Sequence, residues 1–294
     1  MKADPRRLAQ RVVAGEVSAL AQAITLAEDR GPGHEDLLRY LGEASGSSRR
    51  TVGVTGPPGV GKSTLVAALL EVAVARGHRV AVLAIDPSSP LSGGAFLGDR
   101  LRLGREFLAE AVFFRSLASR GAGGGISDAL PRILQVVSAA PRELILVETV
   151  GIGQADVAVA ELVDLLLLVL APEQGDDVQL LKGGVVQVAE LLVLNKVDLP
   201  GADRLRGHLT TLGLGPCLEV VAQEGRGVEA LYEAILEALA RAPGRKPQGL
   251  EVARRVGDEV RRTIADKLGR GPVPPALLVR LLEAVDRIIE EECR

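Results

Sequence analysis

The stretch Thr51-Val52-Gly53-Val54-Thr55-Gly56-Pro57-Pro58-Gly59-Val60-Gly61-Lys62-Ser63-Thr64 decides how the rest of the chain is read. Its first five residues form a short, nearly apolar run that predicts a buried strand. Gly56 to Thr64 then fit the pattern GxxxxGK[ST], and Leu65, Leu69 and Val72 follow at helical spacing. In that strand–loop–helix context the glycines let backbone N–H groups curl around phosphates. Lys62 offers a point charge to the outer phosphates, and the Ser63 hydroxyl reaches Mg²⁺. Gly56, Pro57, Pro58, Gly59, Val60, Gly61, Lys62, Ser63 and Thr64 are therefore the candidate nucleotide-phosphate site. Among 35 basic residues only six are Lys, so a Lys inside a motif stands out. Three of them (Lys62, Lys182 and Lys196) fall in segments that carry motifs.

Outward from this stretch, short apolar runs alternate with helical segments. The runs are Thr51–Thr55, Val80–Ile85, Ala111–Phe114, Leu144–Val147, Leu165–Leu170, Leu191–Leu194 and Leu218–Val221. Continuous rather than alternating apolarity predicts strands covered on both faces. Residues 49–241 thus read as one doubly wound α/β domain with a mainly parallel sheet. Before it, residues 1–48 carry apolar positions at helical spacing, broken at Gly15 and at Gly31-Pro32-Gly33, and predict a small helical extension. After it, residues 242–294 begin with a Pro/Gly linker and continue as two helices. One has Val252, Val256, Val260, Ile264 and Leu268 in steps of four, and the other runs from Leu277 to Ile289. That apolar surface predicts a homodimer formed through the C-terminal arm.

Composition removes several function classes. The chain has 294 residues, 47% hydrophobic and 25% charged, which is ordinary globular usage. A net charge of −3 lacks the electrostatic footprint of a polyanion binder, and 2% aromatics without Trp supply no platform for stacking bases, so no nucleic-acid partner is expected. The longest apolar run, Leu165 to Pro172, is far below the roughly 18 residues of a membrane span. Cys217 and Cys293 sit at neither metal-ligand nor disulfide-framework spacing. The expectation is a cytoplasmic protein with no membrane partner.

Three further loops leave the strands with chemistry. Asn195-Lys196-Val197-Asp198 ends the run Leu191–Leu194. A carboxylate at Asp198 accepts from the ring N–H and exocyclic amine of guanine, whereas adenine presents an acceptor in place of that ring N–H, so guanine is preferred. Glu148-Thr149-Val150-Gly151 resembles a DxxG element with Glu for Asp. Glu148 reaches the metal shell, and the Gly151 N–H meets the terminal phosphate. Asp86, followed by a Pro/Ser/Gly loop, and then Asp99 in Gly98-Asp99-Arg100 are candidates for Mg²⁺ contacts and for a switch.

The segments GPPGVGKST, AIDPSSPLSGGAFLGDR, ETVGIGQAD, GDDVQLLKGG and NKVD together resemble the MeaB/ArgK family of P-loop GTPases. Members of that family act as G-protein chaperones of adenosylcobalamin-dependent acyl-CoA mutases such as methylmalonyl-CoA mutase. The resemblance runs over essentially the whole chain. It implies a GTPase with Mg²⁺ as cofactor, GTP as substrate and GDP as product. In it Lys62, Ser63 and Thr64 bind phosphates and metal, Asp86, Asp99 and Glu148 order the metal and the nucleophilic water, and Asn195, Lys196 and Asp198 hold guanine. It also implies a homodimer, and a mutase-facing switch in Gly175–Gln179 with Lys182.

Departures from the family pattern are visible. Val221-Ala222-Gln223 stands where such GTPases carry Ser-Ala, leaving the Ala222 N–H as the group expected to meet the guanine carbonyl. Gly183 replaces a second basic residue after Lys182, and Arg115–Gly121 lacks prolines usual in the family. Two alternatives stay open. A metal-insertion GTPase wants a Cys/His cluster, whereas His34, His78 and His208 lie far apart in sequence. An ATPase energising a transport system predicts ATP preference, against which NKVD argues. No His has Asp two residues before it, so a base-off cobalamin site is not encoded, and any cobalamin link runs through a partner.

Overall fold

The computed structural model describes residues 4–44, 50–86, 111–118, 129–149, 159–172, 188–212, 214 and 217–241. Three helices come first: α1 (Pro5–Val13), α2 (Val17–Glu28) and α3 (His34–Ala44). Asp4 caps α1 by accepting from the Arg6 N–H at 3.0 Å, with Pro5 in the first turn where its missing donor costs nothing. The breaks between these helices fall where glycine tolerates positive φ, at Gly15 (86°) and Gly33 (89°).

Strands and helices then alternate. They are β1 (Thr51–Thr55), α4 (Lys62–Ala75), β2 (Val80–Asp86), β3 (Val112–Ala118), α5 (Leu130–Ala139), β4 (Leu144–Glu148), β5 (Leu165–Leu170), β6 (Leu191–Asn195), α6 (Ala202–Thr211), β7 (Leu218–Val220) and α7 (Val228–Arg241). The seven strands form one sheet in the order β3-β2-β4-β1-β5-β6-β7, with every pairing parallel. This is the α/β architecture that the apolar runs predict.

The continuous apolarity of the strands has a direct packing cause. On β5, Leu165, Leu167 and Val169 join the core under α4 and α7, while Leu166 joins the core formed with α1, α2, α3 and α5. Leu168 and Leu170 meet Leu205 and Leu209 of α6. Every residue of β1 and of β5 is buried, so neither face of the strand has water to satisfy a polar side chain. Thr51 is partnered: Asp164, at the entry to β5, accepts from the Thr51 N–H (2.8 Å) and hydroxyl (2.7 Å), tying the starts of two adjacent strands.

The largest difference in length from the sequence signal is at β3. The apolar run suggests β3 ends at Phe114, yet it continues to Ala118, pairing with β2 through Asp86↔Ala118. As an edge strand it carries polar residues, and Arg115 satisfies itself on α2 through Glu28 (2.8 Å) and Thr25 (3.3 Å). The predicted C-terminal arm, residues 242–294, lies outside the described residues. Among the described residues no helix is long and apolar enough to cross a membrane.

Candidate nucleotide site

All strands being parallel, the loops after β1, β2, β4, β5 and β6 leave the same edge of the sheet. β1 sits between β4 and β5, where connections diverge to the two sides, and ligands of open α/β sheets bind at that crevice. The loop from Gly56 to Gly61 fills this position, and its backbone requires glycine. Gly56 has φ 141°, and a Cβ there would lie 2.1 Å from the Val169 carbonyl oxygen. Gly61 has φ 94°, and a Cβ would sit 2.6 Å from Asn195 Nδ2. Both positions combine left-handed backbone with a contact no side chain can enter.

Pro57, Pro58, Gly59 and buried Val60 complete the loop, and Lys62 opens α4. Lys62 is buried, with Nζ donating to the carbonyls of Gly56 (2.7 Å) and Pro57 (2.9 Å). The ammonium therefore lies inside the curl of the loop, next to the positive end of the α4 dipole. Ser63, in the first turn, donates its hydroxyl to Glu148 Oε1 at 2.5 Å. Glu148 ends β4 opposite Val54 of β1, which is how two residues 85 positions apart converge. Next to it, buried Thr149 donates its N–H to the Val54 carbonyl at 3.0 Å and fixes the exit direction of the strand.

The base-side loop is organised by Asn195, the last residue of β6 and almost completely buried. Its Nδ2 donates to the Val60 carbonyl at 2.8 Å, and its Oδ1 accepts from the Ala222 N–H at 3.1 Å. One carboxamide thus joins the phosphate loop, the end of β6 and the segment after β7. Lys196 follows at φ 58°, a left-handed conformation that is unfavourable for a residue with a Cβ, and Leu199 N–H closes the turn on its carbonyl at 3.0 Å. Asp198 is exposed on that turn.

A cleft of about 370 Å³ runs from Thr64 along Ala67, Ala68 and Glu71 of α4 to Ala222, Gln223, Glu224 and Gly225. It connects the phosphate loop to the loop that Asn195 holds, and the alanines leave room along the helix.

The Ala222 N–H, expected to face the guanine carbonyl, donates here to Asn195 Oδ1, so Asn195 and Ala222 tie the two loops together. The contribution of Asp164 carries no motif and is absent from the sequence reading. Asp86 is placed by its backbone as the last residue of β2, level with Ala118. Asp99, Gly151, Gly175–Gln179 and Lys182 lie outside the described residues.

A parallel sheet with a glycine-bound lysine loop after its central strand, and a base-side loop after β6, defines a P-loop nucleoside triphosphatase. The model of the family described as methylmalonyl-CoA mutase-associated GTPase MeaB matches residues 20–270, and the chain belongs to that family. It is a GTPase. A putative GTPase of Pyrococcus horikoshii is 39% identical over 242 residues, covering 78% of this chain and 76% of its own length. The mouse mitochondrial protein named methylmalonic aciduria type A homolog is 35% identical, covering 79% of this chain and 62% of its own. A crystal structure of an LAO/AO transport system kinase superposes with a TM-score of 0.66 at 25% identity, covering 97% of this chain and 100% of that one.

Proposed function

We propose that this GTPase, working with Mg²⁺ in the cytoplasm and as a homodimer, gates cofactor loading or protection of an adenosylcobalamin-dependent acyl-CoA mutase of the methylmalonyl-CoA mutase type. The observation that carries this reading is the family match along residues 20–270, a family described as associated with that mutase.

The chemistry follows from the site. GTP lies with its phosphates in the curl of Gly56–Gly61 and its base at the Asn195–Asp198 turn. Asp198 accepts from the ring N–H and amine of guanine. A water attacks the γ-phosphorus as the bond to the β–γ bridging oxygen breaks, giving GDP and inorganic phosphate. Lys62, already inside the loop, faces the oxygens on which negative charge resides, and electrostatic positioning of this kind is the main contribution a protein makes to phosphoryl transfer. The Ser63 hydroxyl and the Glu148 carboxylate, 2.5 Å apart at the loop's edge, are hard oxygen donors suited to Mg²⁺. Asp86 and Asp99 are further carboxylates assigned to it. Ser63, Glu148, Asp86 and Asp99 would hold the Mg²⁺, which would supply positive charge to offset that of the phosphates. Asp99 and Glu148 also orient the attacking water, and the Gly151 N–H senses the γ-phosphate.

The partner is engaged by Gly175–Gln179 and Lys182, and the C-terminal arm holds the dimer. The test is GTP turnover by the purified protein with and without methylmalonyl-CoA mutase, for the parent and for Lys182→Ala. Acceleration by the mutase that the variant loses, at a basal rate within a few-fold of the parent, supports the reading. Absence of both co-elution with the mutase and acceleration by it overturns the partner assignment.

A further inference from the structure

Thr55, the last residue of β1, leads directly into the phosphate loop, and its side chain is completely buried. Its Oγ1 has no hydrogen-bond partner among the described residues. Thr51, four residues earlier on the same strand, shows what a buried hydroxyl ordinarily does in this sheet: it donates to Asp164 at 2.7 Å. A buried hydroxyl without a partner costs free energy, and one left so at the root of a functional loop points to a second state in which it is bonded.

The strand register identifies the partner. Val54 is level with Glu148, so Thr55 and Thr149 come next to each other on adjacent parallel strands. Side chains alternate along each strand. Val54 faces the core under α4, whereas a Cβ at Gly53 would touch Leu166, Val159 and Val163 on the other side, and Val147 belongs to that second core. Thr55 and Thr149 therefore share the face turned away from α4. Thr149 is buried too, and its hydroxyl donates to the Val54 carbonyl at a long 3.4 Å, which leaves its oxygen able to accept. Neighbouring strands lie about 4.8 Å apart, so a χ1 rotation and a slight closing of the strand ends bring the two hydroxyls together. On the opposite face the Ser63 hydroxyl and Glu148 are spent on each other at 2.5 Å. Each is assigned to the loaded site, so the two part when GTP is bound, and the end of β4 shifts with Glu148. We propose that Thr55 is a positioning residue: in the GTP-bound chain its hydroxyl donates to Thr149 Oγ1, which continues to donate to Val54, and this chain of bonds fixes Glu148 at the root of the phosphate loop. The assignment rests on Gly56–Ser63 being the phosphate site.

Thr55→Val, which exchanges the hydroxyl for a methyl group of similar size, separates the two states. Nucleotide-free protein followed by circular dichroism in urea is at least as stable as the parent, because no bond is lost there. GDP affinity stays within twofold, while kcat for GTP falls about fivefold to tenfold, the effect of one neutral hydrogen bond. Thr55→Ser restores kcat. Thr149→Val lowers kcat by a similar factor, and the double valine variant falls no further than either single one, as two ends of one bond require. A Thr55→Val protein less stable than the parent without nucleotide overturns the proposal, since the hydroxyl then already has a partner. Unchanged kcat, an equal fall in kcat and GDP affinity, or losses that multiply in the double variant overturn it as well. If Lys62→Ala leaves turnover intact, it is the phosphate-site reading that falls.

Discussion

Asn195→Ala is the substitution whose cost can be worked most directly from the structure. The side chain is 2% exposed and spends both ends of its amide, on the Val60 carbonyl at 2.8 Å and the Ala222 N–H at 3.1 Å. Val60 and Ala222 are themselves buried at 1% and 5%, so truncation strands one acceptor and one donor. Each stranded group costs about 1–3 kcal/mol, giving about 2–6 kcal/mol for the pair. The lower part of that range is expected, because water entering from the adjacent cleft can reach Ala222. Against a typical folding stability of about 5–15 kcal/mol this is a large fraction.

Asn195→Asp separates the two bonds. A carboxylate still accepts from the Ala222 N–H but turns an oxygen toward the Val60 carbonyl, so at pH 7 the variant is no more stable than the alanine one. The repulsion favours the protonated acid in the folded state and raises its pKa. The variant therefore regains stability as pH falls through that folded value and loses it as pH rises. With no Trp in the chain, urea unfolding is followed by circular dichroism on nucleotide-free protein, and GDP titration reports the loop. An alanine variant within about 0.5 kcal/mol of the parent, a surface-like effect, would refute the proposed tie. So would an aspartate variant more stable than the alanine one at pH 7.

Lys62→Ala lowers GTP turnover by an amount equivalent to about 2–4 kcal/mol, as removal of a preorganised electrostatic group does; unchanged turnover rules out the phosphate site. Asp198→Asn relaxes the choice between GTP and ATP, because an amide presents donor or acceptor, and equal discrimination in competition binding would show that Asp198 does not read the base. Burial pushes the Cys217 thiol above its ordinary value, with Glu219 adding to the shift. In a Cys293→Ser background Cys217 therefore reacts more slowly with a disulfide reagent at pH 8 than free cysteine does, and a rate equal to free cysteine contradicts its burial.

Much of this protein is legible in its residues. Val52, Val54 and Leu165–Leu170 announce buried parallel strands, since only a strand covered on both faces needs apolar residues at every position. Gly56, Gly61, Lys62 and Ser63 announce the phosphate loop, because left-handed glycines and a lysine at fixed spacing are local requirements of a tight turn entering a helix. What the chain does not spell out locally is which group each donor meets. Asn195 reads as a base contact, and only the parallel packing of β1 and β6 beside β5 shows that its carboxamide lies against Gly61 and bonds to Val60 and Ala222. β3 outlasts its apolar run because Arg115 finds Glu28, 87 residues earlier, across the sheet edge. The pairing of Ser63 with Glu148 likewise depends on β4 lying beside β1. Periodicity records how much water a residue sees, while hydrogen-bond partners distant in sequence are set only when the strand order is complete.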